Sequence, residues 1–329
     1  MIFQKTNFLF IKKELEKSIK PYPCILEHSF INYLKRYKPT SNFLDISFII
    51  KKNKSILYCP ITIETNNDEK ILNFFGEPFF IICENKNKEL LSLFYEKIQD
   101  IMNEKKIDKI NFLISIKFEN PEVEKDINQS SLNKITLIKY FDLSLDIQNI
   151  KKNFSKGHKS VIKKEYDELQ YKIIDFKNYN NDIIDMMNMH RMVSQKITRS
   201  KETWLLNGKM IKNNNGFIIK VIYKKKTISF SLFFFNNEEA IYFSSCTDRY
   251  YFKDFINITH KSIYHSINYL KNNGCKKLTL GECKTIYSSE DITQKEKNIQ
   301  KFKSSFGGDI YINFYLKKLD PDLIDLYLK

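Results

Sequence analysis

Apolar and polar positions along this chain repeat one order of elements twice. In the first copy, apolar stretches at 43–50, 56–63, 71–75 and 79–83 predict a strand meander, an amphipathic stretch at 86–105 predicts a long helix, and 109–117 predicts a returning strand. In the second copy the strands fall at 217–223, 227–235 and 240–245, the helix at 255–272 and the returning strand at 276–280. The second helix sets Ile256, His260, Ile263, Ile267 and Leu270 on one face at steps of three and four, and Asn272, Asn273 and Gly274 supply a left-handed stop. Asp254 is a candidate N-cap for it. A period of roughly 170 residues is domain-sized, far longer than a solenoid unit. The expectation is an α/β (α+β) chain of two similar domains, 1–148 and 149–329, with function in the cleft between them.

At 329 residues and 42% hydrophobic content the chain can fill two cores. Its longest apolar run, 228–235, contains Ser229 and Ser231 and is far too short to cross a bilayer. The N-terminal apolar stretch at 8–11 lies among Lys5, Lys12 and Lys13, without the length or cleavage site of a secretory signal, so a cytoplasmic location is expected. The six cysteines show no C-x-x-C spacing and mostly sit in or beside apolar strands, where a reduced thiol packs as a small hydrophobe. His260 and His265 are five apart, which does not suit two ligands on one helical face, and no metal site is expected. The net charge of +15 points to an anionic partner, yet nearly all of it is lysine spread along the chain. Only local clustering therefore carries weight.

The densest cluster is K-K-N-F-S-K-G-H-K-S-V-I-K-K at 151–164, with six lysines, one histidine and no acid. Ser155 can cap a helix that carries Lys159, Lys163 and Lys164 onward to Glu168, and free N–H groups at its start beside Lys156, His158, Lys159 and Lys163 suit a phosphate. A solvated linker between the two copies is the other reading of the same segment. Residues 181–213 have helical periodicity in Ile184, Met187, Met192 and Val193, then Trp204, Leu205, Met210 and Ile211. They include Arg191 and Arg199, two of the four arginines in a chain whose default cation is lysine, and a guanidinium suits bidentate anion binding. The loop C-T-D-R-Y-Y-F-K-D at 246–254 puts Asp248 and Arg249 before the second long helix, where they can meet a ligand or simply pair with each other. Glu282 follows the strand L-T-L-G and, with Asp248, is a candidate base for an ammonium nucleophile.

The order in the second half is a basic helix, a helical segment ending near Trp204, a hairpin, the S-S-C-T-D loop, a long helix closed by N-G-C, the strand L-T-L-G at 278–281, and F-K-S-S-F-G at 302–307. It resembles the Fem-type peptidoglycan-bridge aminoacyltransferases of the GNAT acyltransferase superfamily, whose C-terminal signature is F-K-x-x-F-G. The resemblance covers about 149–316, and the first half matches in layout, including F-F-G-E-P at 74–78. It implies two tandem GNAT-like domains, each a mixed, mostly antiparallel sheet flanked by helices. It also implies transfer of an activated acyl or aminoacyl group onto an amine of a cell-envelope glycan precursor, a nucleotide-linked or lipid-linked sugar or peptide. Phe302 and Lys303 match the family's F-K pair, whose lysine contacts the donor and stabilises charge at the reacting carbonyl. That role has an independent rationale, since a cation beside a developing oxyanion stabilises the transition state more than the ground state. The donor stays open between aminoacyl-tRNA and acyl coenzyme A, with no bound cofactor expected. The 246–254 loop lacks the glycines that let backbone approach a pyrophosphate, and no charged helical hairpin for tRNA is inserted. Two alternatives stand beside this reading: a coenzyme A dependent N-acetyltransferase of an amino sugar, and a non-catalytic RNA-binding protein on the same fold. tRNA, which the resemblance implies as a donor carrier, and a peripheral membrane contact are the further candidate partners.

Overall fold

The computed structural model describes residues 2–17, 23–38, 40–83, 87–117, 131–164, 166–255, 258–284 and 292–320. The first half runs β1 (Ile2–Lys5), α1 (Phe8–Lys17), α2 (His28–Tyr37), β2 (Asn42–Asp45), β3 (Phe48–Lys52), β4 (Ser55–Cys59), β5 (Thr62–Asn66), β6 (Glu69–Asn73), β7 (Ile82–Cys83), α3 (Lys88–Lys105), β8 (Lys109–Ile110) and β9 (Phe112–Lys117). β2 with β3 and β5 with β4 are the two arms of one long hairpin, each broken at its middle. Pro60 offers no N–H to continue the ladder there, and the Ser47 hydroxyl accepts from the Ile61 amide at 3.0 Å instead. The break divides the pairing into two four-stranded sheets, ordered β1-β3-β4-β7 and β2-β5-β6-β8. Asn87 caps α3 through the Glu89 amide, and α3 buries Leu90, Leu91, Phe94, Ile98 and Ile101.

The second half continues with β10 (Leu132–Asp142), α4 (Ile147–Lys152), α5 (Lys156–Lys163), β11 (Leu169–Ile174), α6 (Asp182–Ser194), α7 (Lys201–Lys212), β12 (Gly216–Tyr223), β13 (Lys226–Phe235), β14 (Glu239–Thr247), α8 (Ile258–Asn272), β15 (Lys277–Lys284), α9 (Gln294–Ser304) and β16 (Asp309–Leu316). Its sheet has eight strands in the order β11-β12-β13-β14-β15-β10-β16-β9. The sequence repeat appears in the pairing. In each half the strand after the long helix pairs in parallel with a strand of the preceding meander, β8 with β6 and β15 with β14, inside otherwise antiparallel ladders.

The chain boundary expected at 148 does not divide the sheets. β9 and β10 precede it in sequence yet flank β16 in the second sheet, so the halves share one hydrogen-bonded ladder. They also share a core. Phe30 of α2 meets Phe234 and Phe243 edge-on with ring centroids 6.0 Å apart in each case, and one apolar cluster runs from Phe8 through Phe112 to Trp204 and Phe314.

Several local expectations change. The helix capped by Ser155 stops at Lys163 and does not reach Glu168, because Leu169 already pairs in β11. Gly274 closes α8 at φ +79° as expected; α8 is described from Ile258, and Ile256, expected on its buried face, lies outside the described residues. α6 and α7 bury Ile183, Met186, Met187, Trp204, Met210 and Ile211, whereas Met192 and Leu205 face outward. Among the described residues all six cysteines are free, no acidic, cysteine or histidine cluster could hold a metal ion, and no helix is long and apolar enough to cross a membrane.

The turn from α9 into β16 depends on a close backbone crossing. Gly307 has φ +76°, and a Cβ there would lie 2.5 Å from the Asn153 carbonyl oxygen. Gly307→Ala should therefore combine left-handed strain with a backbone clash, costing about 2 kcal/mol or more. Chemical denaturation should show a lower midpoint at unchanged slope.

Candidate active site

The site begins with two strands that part. β14 and β15 pair at only three positions, Glu239 with Lys277, Ala240 with Leu278 and Ile241 with Thr279. Both then irregularly re-register against their outer neighbours. On β14 the ladder to β13 skips Phe243, which lies between the Phe233–Tyr242 and Leu232–Ser244 pairs. On β15 the ladder to β10 sets Leu280 and Gly281 against Lys139 alone, and Gly281 takes φ +80°. A bulge bends its strand, so two bulges just past the last shared pair drive the strands apart while each stays bonded on its far side. The facing edge of β14 beyond Ile241 has no ladder partner among the described residues, which leaves backbone donors and acceptors open to the gap.

Two adjoining cavities fill this gap. The inner one, about 530 Å³, is walled by Tyr242 and Ser245 of β14, Ile258, Thr259 and His260 of α8, and Ile299, Phe302 and Lys303 of α9. The outer one, about 800 Å³, shares Ser245, Phe252, Thr259, Ile299 and Phe302 with it and adds His190, Arg249, Lys295 and Asn298. Thr293 and Glu296 form a capping box that sets the start of α9, with Glu296 also paired to Lys284 at the end of β15 at 2.9 Å. That pairing holds α9 against β15 and brings its residues 299, 302 and 303 over the gap.

Lys303 is half-buried. Its Nζ donates to the Glu282 carbonyl oxygen at 2.7 Å, and burial holds its pKa below the ordinary lysine value, against the opposing fields of Cys283 and Glu282. Gly281 leaves room for this, since a Cβ there would lie 3.3 Å from Nζ. Phe302 meets His260 edge-on at 4.8 Å and Phe306 at 5.2 Å. Phe306 is fully buried, so the i, i+4 aromatic pair anchors α9 to the core and turns Lys303 toward the cavity.

The other sequence candidates are placed as follows. Arg249 lines the outer cavity. Asp248 does not pair with Arg249; its carboxylate meets Lys226 at 3.3 Å and accepts from the Tyr250 amide, capping the turn. Glu282 does not line either cavity, and its carboxylate accepts from Asn313 at 2.8 Å and from the Tyr315 hydroxyl. Arg199 stacks between Trp204 and Phe243, 5.0 and 4.9 Å from their ring centroids, away from both cavities. Lys156 and Lys163 are exposed on α5, and Lys159 donates to the Lys152 carbonyl at 2.8 Å; none of the three lines a cavity.

His158 corrects the expectation of a phosphate grip. Its ring is buried, 4.2 Å from His260 and 4.3 Å from Phe306, and burial pushes its pKa down to about 4, so it packs as a neutral ring behind the inner cavity. His260 itself, expected on the buried face of α8, lines the inner cavity. Tyr242, Ser245, Thr259 and Ile299 were missed as lining residues. The S-S-C-T-D stretch and the apolar Ile299 one turn before Lys303 were the available signals.

No family model and no curated protein matches the sequence. Solved structures do match its fold. The crystal structure of FemX superposes at a TM-score of 0.69 and 10% identity, covering 100% of both chains. A tandem GNAT protein from the clavulanic acid biosynthesis pathway superposes at 0.51 and 5% identity over 97% of this chain and 99% of its own. L-PGS from Bacillus licheniformis superposes at 0.50 and 11% identity over 100% of this chain and 98% of its own. The chain thus shares its fold with FemX and with a tandem GNAT protein.

The buried histidine makes stability depend on pH. Unfolded His158 titrates near 6.5 and the folded ring only at about 4, so between these values the unfolded state binds more protons. Stability should be full above pH 6.5 and fall as pH drops toward 4. His190 and His265 shift in the same direction. His158→Phe should reduce, without abolishing, the slope of the denaturation midpoint measured from pH 7 to pH 4.5.

Proposed function

We propose that this chain is an N-acyltransferase that forms an amide in the inner cavity. The observation that carries the reading is the Lys303 ammonium, half-buried at the head of the gap between β14 and β15 and fixed by the Glu282 carbonyl. When an amine attacks an activated acyl carbon, the new C–N bond pushes the carbonyl pair onto oxygen. A preplaced ammonium in a desolvated site stabilises that oxyanion without reorganising. The oxyanion then collapses and the leaving group departs with the electron pair of the broken bond. Phe302 forms the wall beside Lys303 and excludes water from it.

The acceptor in this reading is an amine on a cell-envelope glycan precursor, nucleotide-linked or lipid-linked, acted on in the cytoplasm. The fold shared with FemX and the cationic outer cavity, with Arg249 and Lys295, support it. Glu282 is not assigned as the base, because its carboxylate is held by Asn313 and Tyr315 outside the cavities. The proton of the attacking amine leaves with the acceptor's own groups or with solvent.

Incubation with acyl coenzyme A or charged tRNA, while following the mass of amine acceptors, tests the activity. Lys303→Ala should lower kcat about a hundredfold or more with the thermal melt unchanged. A variant of near-normal turnover removes the assignment. The lowered pKa of Lys303 also gives a sign: the ammonium is the active form, so kcat should fall as pH rises through a value below the usual 10.5, and Lys303→Arg should move that limb upward.

A further inference from the structure

We infer that the acyl group received by this site is an uncharged alkanoyl chain larger than acetyl, and not an aminoacyl group. The inference rests on the acyl-transfer reading of the same cavity and narrows its donor.

Size comes first. An inner cavity of about 530 Å³ lies within the range of about 300–1,000 Å³ that encloses drug-sized ligands, well beyond what an acetyl group fills. Much of its wall is apolar, from Phe252, Ile258, Ile299, Phe302 and the Tyr242 ring, whose hydroxyl is already bonded to Ser245, with Thr259, His260 and Lys303 as the polar remainder. Burial of a chain against such walls is favourable in proportion to its apolar area.

Charge decides between donors. Lys303, Arg249 and Lys295 line the two cavities, and among the described residues no aspartate or glutamate does. Three acids near these residues along the chain are engaged elsewhere, Glu282 with Asn313 and Tyr315, Asp248 with Lys226, and Glu296 with Lys284. An aminoacyl ester carries an ammonium on the carbon next to its carbonyl. With Lys303 on that carbonyl, two ammonium groups would share a half-buried site with no carboxylate between them among the described residues, which disfavours the charged form of both. An alkanoyl chain brings no such charge. The cations of the outer cavity, in contrast, suit the phosphates of a carrier.

Carrier-free probes separate chain from carrier. Binding of acetate, butyrate, hexanoate, octanoate and 2-aminooctanoate to the full chain is followed by calorimetry at pH 7. Affinity should rise about threefold or more per CH2 through the series, and 2-aminooctanoate should bind at least tenfold more weakly than octanoate. Ile299→Trp, on the partly exposed side of α9, should erase the chain-length gain while leaving the melt unchanged; Ser245→Phe serves from the opposite wall if that variant is destabilised. Equal or tighter binding of 2-aminooctanoate, a flat series, or a gain that survives a cavity-filling variant overturns the inference. These readouts need no turnover, so a chain that binds octanoate yet transfers nothing to any amine overturns the acyl-transfer reading and leaves the pocket assignment standing.

Discussion

Everything at this site depends on two strands that share only three paired positions and are then bent apart. β14 remains bonded to β13 and β15 to β10, so neither strand can swing back to close the gap without losing its outer ladder. The gap is therefore a fixed property of the sheet, held open by backbone hydrogen bonds on both flanks. A cavity made this way is preorganised on its strand side, where one edge has no ladder partner among the described residues. Lys303 owes its position to the same arrangement, because the bulge at Gly281 turns the Glu282 carbonyl toward Nζ and leaves the space that a side chain would take.

The meander-helix-strand repeat was legible in the sequence because it rests on local periodicity. Strands at 217–235 and the helix ending at Gly274 follow from alternation, three- and four-residue spacing and a left-handed stop. The destination of β9 and β10 was not legible. Their apolar patterns predict strands, but which ladder they join depends on β16, nearly two hundred residues later for β9, and pattern carries no partner information. At the site, F-K-S-S-F-G marked Phe302 and Lys303, both of which line the inner cavity. The lysine-rich segment misled for His158, since charge density along the chain does not tell which face of a short helix packs inward. α5 turns its histidine into the aromatic cluster and leaves Lys156 and Lys163 outside. The walls formed by Ser245, Thr259 and Ile299 come from three separate elements, and only the folded chain brings them together.

The two halves are one folding unit in energetic terms. The apolar cluster that includes Phe8 and Phe112 also includes Trp204, Phe234 and Phe314, and β16 carries strands from before the chain midpoint on both sides. The half-buried Glu239 carboxylate, where β14 begins, accepts from the Cys24 amide at 3.2 Å and pins the turn that leads into α2 to the strand that later bends open. Burial raises its pKa, with the Cys24 amide and Lys277 working against that rise.

Phe243 gives this union a particular reach. It is the residue skipped by the β14 bulge, and its ring lies 5.3 Å from Tyr33 and 6.0 Å from Phe30, both on α2, with the Arg199 guanidinium over its face. The kink that parts the strands is thus wedged by a ring seated on the opposite lobe. The lobe that carries no part of either cavity wall among the described residues braces the kink that keeps the seam apart.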